Sequence, residues 1–80
     1  MIPLTPREWL VYTFILTYFR RHGLAPSNRE IAAHLGKQPG AGIAHTLHEL
    51  EAKGLITLPY GKASRALALV RGVRGGVEMP

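Results

Sequence analysis

The chain contains no cysteine and no aspartate. Without cysteine there is no disulfide framework, no thiolate zinc site and no cysteine nucleophile, and a reducing compartment is the natural setting. Without aspartate, and with its glutamates scattered, the sequence offers no carboxylate pair for general acid–base chemistry. No long apolar run is present either. The most apolar stretch, Trp9 to Phe19, is interrupted by Thr13 and Thr17 and falls short of the ~20 residues a bilayer demands. The start, MIPLTPRE, lacks the basic and then apolar regions of a secretory signal. The stretch Pro39-Gly40-Ala41-Gly42 lacks the Walker lysine and a preceding strand, so it is no phosphate-cradling fingerprint. These absences lead to four expectations: no enzyme, no cofactor or metal, no membrane contact and no small-molecule ligand. The expected compartment is the cytoplasm.

Positive charge, in contrast, is abundant. Across 80 residues, 10 Lys+Arg face 5 acidic groups, for a net charge of +5 and a pI near 10.3. A polyanionic partner follows from that balance. The excess is uneven. Residues 1–52 hold five basic residues against four glutamates, whereas residues 53–80 hold five against Glu78 alone. The length suits one small domain, which buries roughly 60–65% of its unfolded surface and leaves little room for a deep cleft.

Local signals lay out the elements. Thr5, Pro6 and Glu8 form a capping box with proline at the first helical position, so a helix should run from about Pro6 to His22 and stop at Gly23. Arg20, Arg21 and His22 complement its dipole. Leu10, Val11, Phe14, Ile15 and Tyr18 make a core-facing band, and Trp9, Tyr12, Leu16 and Phe19 make a second apolar stripe. Ser27 and Glu30 repeat the capping box ahead of a short helix that buries Ile31, Ala32 and Leu35 and ends at Gly36. A third helix should begin near Pro39–Ala41 and reach Lys53, with Ile43, Leu47 and Leu50 inward. Leu55 to Leu58 and Arg65 to Val70 read as a hairpin around a Pro59–Ser64 turn. The expected fold is mainly α with a small β-hairpin: a three-helix winged helix-turn-helix over residues 1–70, followed by a flexible tail over 71–80.

The segments LTPRE, GLAPSNREIAAHLG, HTLHELEAKGLI and YGKASRALAL resemble the N-terminal winged-helix DNA-binding domain of LexA-type repressors, over roughly Leu4 to Val70. The resemblance implies a repressor-like transcriptional regulator that places its third helix in the major groove of double-stranded DNA and its wing on the backbone, working on the nucleoid. Such repressors dimerise on palindromic operators and carry a C-terminal self-cleaving peptidase domain with a serine–lysine dyad. This chain stops where the linker to that domain would begin, so a standalone reading head without self-cleavage is expected.

The base-reading stretch departs from the family. Where relatives carry Ser, Asn and Glu, this chain has Pro39 to His45, with little hydrogen-bonding capacity. Two readings stay open. Ala41 and Gly42 let the helix approach DNA closely while Gln38, His45 and His48 read bases, or this face serves something other than DNA. The expected DNA contacts are Ser27, Asn28, Arg29, Lys37, Gln38, Ala41, Gly42, His45, His48, Lys53, Lys62, Ser64 and Arg65. His45 and His48 lack a third ligand for a metal. The stripe of Trp9, Tyr12, Leu16 and Phe19 is expected to pair with a second copy or another protein, because a three-helix domain rarely buries one helix all round. The competing function is a winged-helix module that docks on a transcription protein or host regulator without reading DNA.

Overall fold

The first two helices start where the sequence offers a capping box. The structure is a computed structural model that describes residues 2–36, 42–58, 68–69 and 77–78. The elements run β1 (Ile2–Pro3), α1 (Pro6–His22), α2 (Asn28–His34), α3 (Ile43–Ala52), β2 (Ile56–Thr57), β3 (Ala68–Leu69) and β4 (Val77–Glu78). Thr5 closes a reciprocal capping box with Glu8, and Ser27 does the same with Glu30. Gly23, with φ 73°, ends α1 in the left-handed conformation that a side chain disfavours. The Leu24–Pro26 connector then buries Ala25 and Pro26 and leaves Leu24 exposed.

The three helices enclose one core. α1 supplies Val11, Tyr12 and Ile15, α2 supplies Ile31 and Ala32, and α3 supplies Ile43, Leu47 and Leu50. Leu4, Ala25, Leu55 and Ile56 close it. Leu35 packs against this core without being fully buried. After α3 the chain turns at Gly54, and β2 pairs antiparallel with β3, Ile56 opposite Leu69 and Thr57 opposite Ala68. This is the wing in outline. The expected tip, Pro59 to Arg65, lies outside the described residues.

Three expectations need correction. α3 begins at Ile43, because Gly42 has φ 75° and cannot belong to a right-handed helix. The buried face of α1 is Glu8, Val11, Tyr12 and Ile15, while Leu10 is 49% exposed. Relative to the expected band this face is rotated by about 80° at roughly 100° per residue. The second stripe is no free surface: Tyr12 belongs to the core, and Trp9, Leu16 and Phe19 are half-buried against it. Two strands also went unread. Val77–Glu78 of the tail pairs in parallel with Ile2–Pro3. The other tail residues lie outside the described residues. No helix among the described residues is long and apolar enough to cross a membrane.

Candidate nucleic-acid interface

Helix α3 has one buried and one exposed face. Its buried side is Ile43, Thr46, Leu47 and Leu50, at the spacing that lines one side of a helix. Ala44, His45, His48 and Ala52 are exposed on the opposite side. The His45 and His48 side chains are 79% and 69% exposed. His45 Nε2 lies 3.9 Å from Glu49 one turn on, and His48 Nδ1 lies 4.0 Å from Glu51. Both separations exceed hydrogen-bond length, so the imidazoles are steered rather than tied. Glu51 has a second duty, accepting the Leu58 backbone N–H at 2.7 Å and so fixing the exit of β2.

The start of α3 is held from α1. Gly42 provides no capping side chain, and no acid sits in the first turn. Thr46, buried, donates its hydroxyl to the Gly42 carbonyl at 3.1 Å. Arg7 reaches across from α1 and donates from Nε to the Thr46 hydroxyl at 3.2 Å. Its guanidinium also covers Gly42, where a β-carbon would meet Arg7 Nη2 at 3.4 Å, an ordinary contact. Backbone strain, not space, therefore sets the effect of a side chain there. Gly42→Ala should cost about 1 kcal/mol, read as a lowered thermal midpoint.

The far end of α3 is clamped to the start of α1. The Lys53 ammonium ion-pairs with Glu8 and donates to the Pro3 carbonyl at 3.0 Å. Glu8 also accepts the Thr5 backbone N–H at 2.9 Å. Burial disfavours the Glu8 carboxylate. The hydrogen bonds from Lys53 and Thr5 and the Lys53 charge outweigh that and hold its pKa below the ordinary carboxyl value. Burial alone raises the pKa of the Tyr12 hydroxyl. Lys53, expected on a phosphate, is thus committed to Glu8 and Pro3.

The other expected contacts divide into two groups. Asn28 and Arg29 are exposed at the start of α2, while the Ser27 hydroxyl is occupied by the Glu30 N–H. Lys37, Gln38, Ala41, Lys62, Ser64 and Arg65 lie outside the described residues. Sequence reading missed the Arg7–Thr46 contact and the pairing of Glu8 with Lys53. The partners are 39 and 45 residues apart in the chain, beyond any local pattern. Among the described residues no group of three His, Cys, Asp or Glu could hold a metal ion.

A short helix, a turn and a second helix with a free outer face, followed by an antiparallel strand pair, define a winged helix-turn-helix. The chain belongs to the LexA DNA-binding domain family, whose family model, described as LexA DNA binding domain, matches residues 1–66. It is 42% identical over 73 residues to the LexA repressor of Geotalea uraniireducens strain Rf4, covering 91% of this chain and 36% of that protein. It is 41% identical over 71 residues to the LexA repressor of Thermosipho africanus strain TCF52B, covering 89% of this chain and 35% of that protein. LexA repressor 1 of Geobacter sulfurreducens is 35% identical over 80 residues, covering 100% of this chain and 39% of that protein. The chain therefore spans little more than a third of these relatives.

Proposed function

We propose that this chain is a sequence-specific double-stranded DNA-binding transcriptional repressor that lays α3 in the major groove. The observation that carries the reading is the family match over residues 1–66, which takes in all three helices and the α3 face of Ala44, His45, His48 and Ala52. A helix held from behind by Ile43, Leu47 and Leu50 presents that face as a rigid ridge of a width the major groove admits. The small residues Gly42, just before the helix, and Ala44 within it permit close approach, and His45, His48 and Gln38 supply base-edge hydrogen bonds. Asn28, Arg29, Lys37, Lys62, Ser64 and Arg65 supply backbone contacts. Lys53 is left out of this set because its charge is already matched by Glu8. This reading places the chain on the nucleoid, in the cytoplasm.

Selection from a random duplex library tests it. A recovered palindrome with half-sites about one helical turn apart, roughly 34 Å, means that two chains bind together. Failure to enrich any sequence counts against specific binding. His45→Ala should relax preference at one base position by about 1–3 kcal/mol while leaving the salt dependence of binding unchanged. An unaltered preference removes His45 from the readers.

A further inference from the structure

We propose that the seam between α1 and α2 is a docking groove for an acidic peptide segment of a partner protein, which inserts one bulky apolar side chain there. The proposal goes beyond the DNA reading and does not rest on it. α1 contributes Phe14, Thr17, Tyr18 and Arg21 to the groove, and α2 contributes Glu30 and Ala33. No residue of α3 lines it, so a chain with α3 in DNA still presents it.

The floor of the groove is made of rings. Phe14 and Tyr18 lie one turn apart on a flank of α1 that the core leaves half-buried. His34 of α2 stacks on Phe14 with ring centroids 4.3 Å apart, Tyr18 tilts against Phe14 at 5.8 Å, and His22 packs on Tyr18 at 4.3 Å. Hydrogen bonds fix the wall in advance. The Tyr18 hydroxyl donates to Glu30 Oε2 at 2.6 Å, and Glu30 Oε1 accepts the Ser27 backbone N–H at 2.9 Å. A recess ordered beforehand costs little further ordering when an anchor enters it.

Size and charge choose the occupant. The groove measures about 290 Å³, at the bottom of the roughly 300–1,000 Å³ range of small-molecule sites, and it is open to solvent. It therefore covers one anchoring side chain of a peptide better than a free ligand, which needs to be enclosed. The acid in its lining, Glu30, has both oxygens engaged by Tyr18 and Ser27. Arg21 is exposed, and no hydrogen bond or ion pair engages it among the described residues. Arg20 and His22 stand exposed beside it. A carboxylate next to the anchor meets the Arg21 guanidinium in a charge-assisted pair. A nucleic-acid backbone suits the groove less, because a phosphate gains nothing from an apolar recess. A second copy also suits it less, because each chain carries a net charge of +5.

Selection of a displayed random peptide library on the whole chain tests the proposal. Recovered peptides should share one bulky apolar residue flanked by aspartate or glutamate. A synthetic copy of the most enriched peptide should shift the amide NMR signals of Phe14 to His22 and of Glu30 to His34. Ala33→Trp fills the groove without changing the charge and should weaken that peptide about tenfold or more. Arg21→Gln should weaken it about fivefold, whereas Arg20→Gln, which removes the same charge outside the lining, should change it less than about twofold. All three positions are exposed, so the variants keep their fold, which a thermal melt verifies. Enrichment of no peptide, or of peptides without acidic residues, overturns the proposal. So do full binding by Ala33→Trp and equal losses from Arg20→Gln and Arg21→Gln. A short oligothymidylate that moves the same signals more strongly than the peptide also overturns it and assigns the groove to single-stranded nucleic acid. The DNA reading of α3 survives each of these results.

Discussion

Glu8→Ala will destabilise the domain by about 3 kcal/mol and lower its thermal midpoint by about 12–24 °C. The carboxylate makes two kinds of contact at once. One oxygen takes the Lys53 ammonium and the Thr5 backbone N–H, completing a capping box for α1 and tying α1 to the end of α3. Removing it leaves Lys53, whose side chain is only 27% exposed, with no other ion-pair partner among the described residues. A fully buried pair broken on one side costs about 3–5 kcal/mol, and the partial exposure of Lys53 brings this to about 2. The lost cap adds about 1. Glu8→Gln separates the two effects, because its amide oxygen still accepts from Thr5. Acid should reproduce part of the loss. The Glu8 pKa is held low in the fold, so its contribution is complete above the ordinary carboxyl range and disappears as pH falls through the lowered value. Urea denaturation of wild type and Glu8→Gln at neutral pH and in acid checks this. The difference between them should shrink on acidification, and a constant gap would count against the clamp.

That clamp also marks where sequence reading stops. Capping boxes are local, so Thr5 with Glu8 and Ser27 with Glu30 placed both helix starts, and Gly23 placed the α1 stop. The buried face of α1 was misplaced because a hydrophobic pattern counts Glu8 as outward. Here Lys53, 45 residues away, neutralises it and lets it sit on the inner face beside Val11, Tyr12 and Ile15. Tyr12 is thereby drawn into the core and Leu10 left outside. The same blindness hid Thr46, a polar residue buried because Arg7 and Gly42 satisfy it. On the DNA side, the exposure of His45 and His48 was legible from helical period alone, because the apolar residues Ile43, Leu47 and Leu50 fix the opposite face. The role of Lys53 was not legible, because its charge is answered by a residue of another element.

Ile43→Ala will cost about 3 kcal/mol and will impair sequence discrimination more than an equal loss of stability elsewhere. Ile43 is fully buried and is the first residue of α3. Deleting three carbons leaves a cavity that a close-packed core closes only in part. Ile43→Val, which removes one carbon, should cost about 1 kcal/mol. The functional excess follows from how the start of α3 is held. It has no capping side chain and no first-turn acid, so its place depends on the Ile43 side chain, the Thr46 hydroxyl on Gly42 and the reach of Arg7. The end of the helix has the Lys53 clamp and Leu50 besides. Leu50→Ala is therefore the matched control: equal burial and similar cost, but at the end held by other contacts. Denaturant midpoints give the stabilities, and hydrogen exchange at Thr46, whose N–H makes the first backbone bond of α3 to the Gly42 carbonyl, reports fraying at the start. At temperatures where both variants are folded, Ile43→Ala should exchange faster there and discriminate selected from random duplex less well than Leu50→Ala. Equal discrimination by the two would mean that the packing of Ile43 does not hold the reading end of the helix in place.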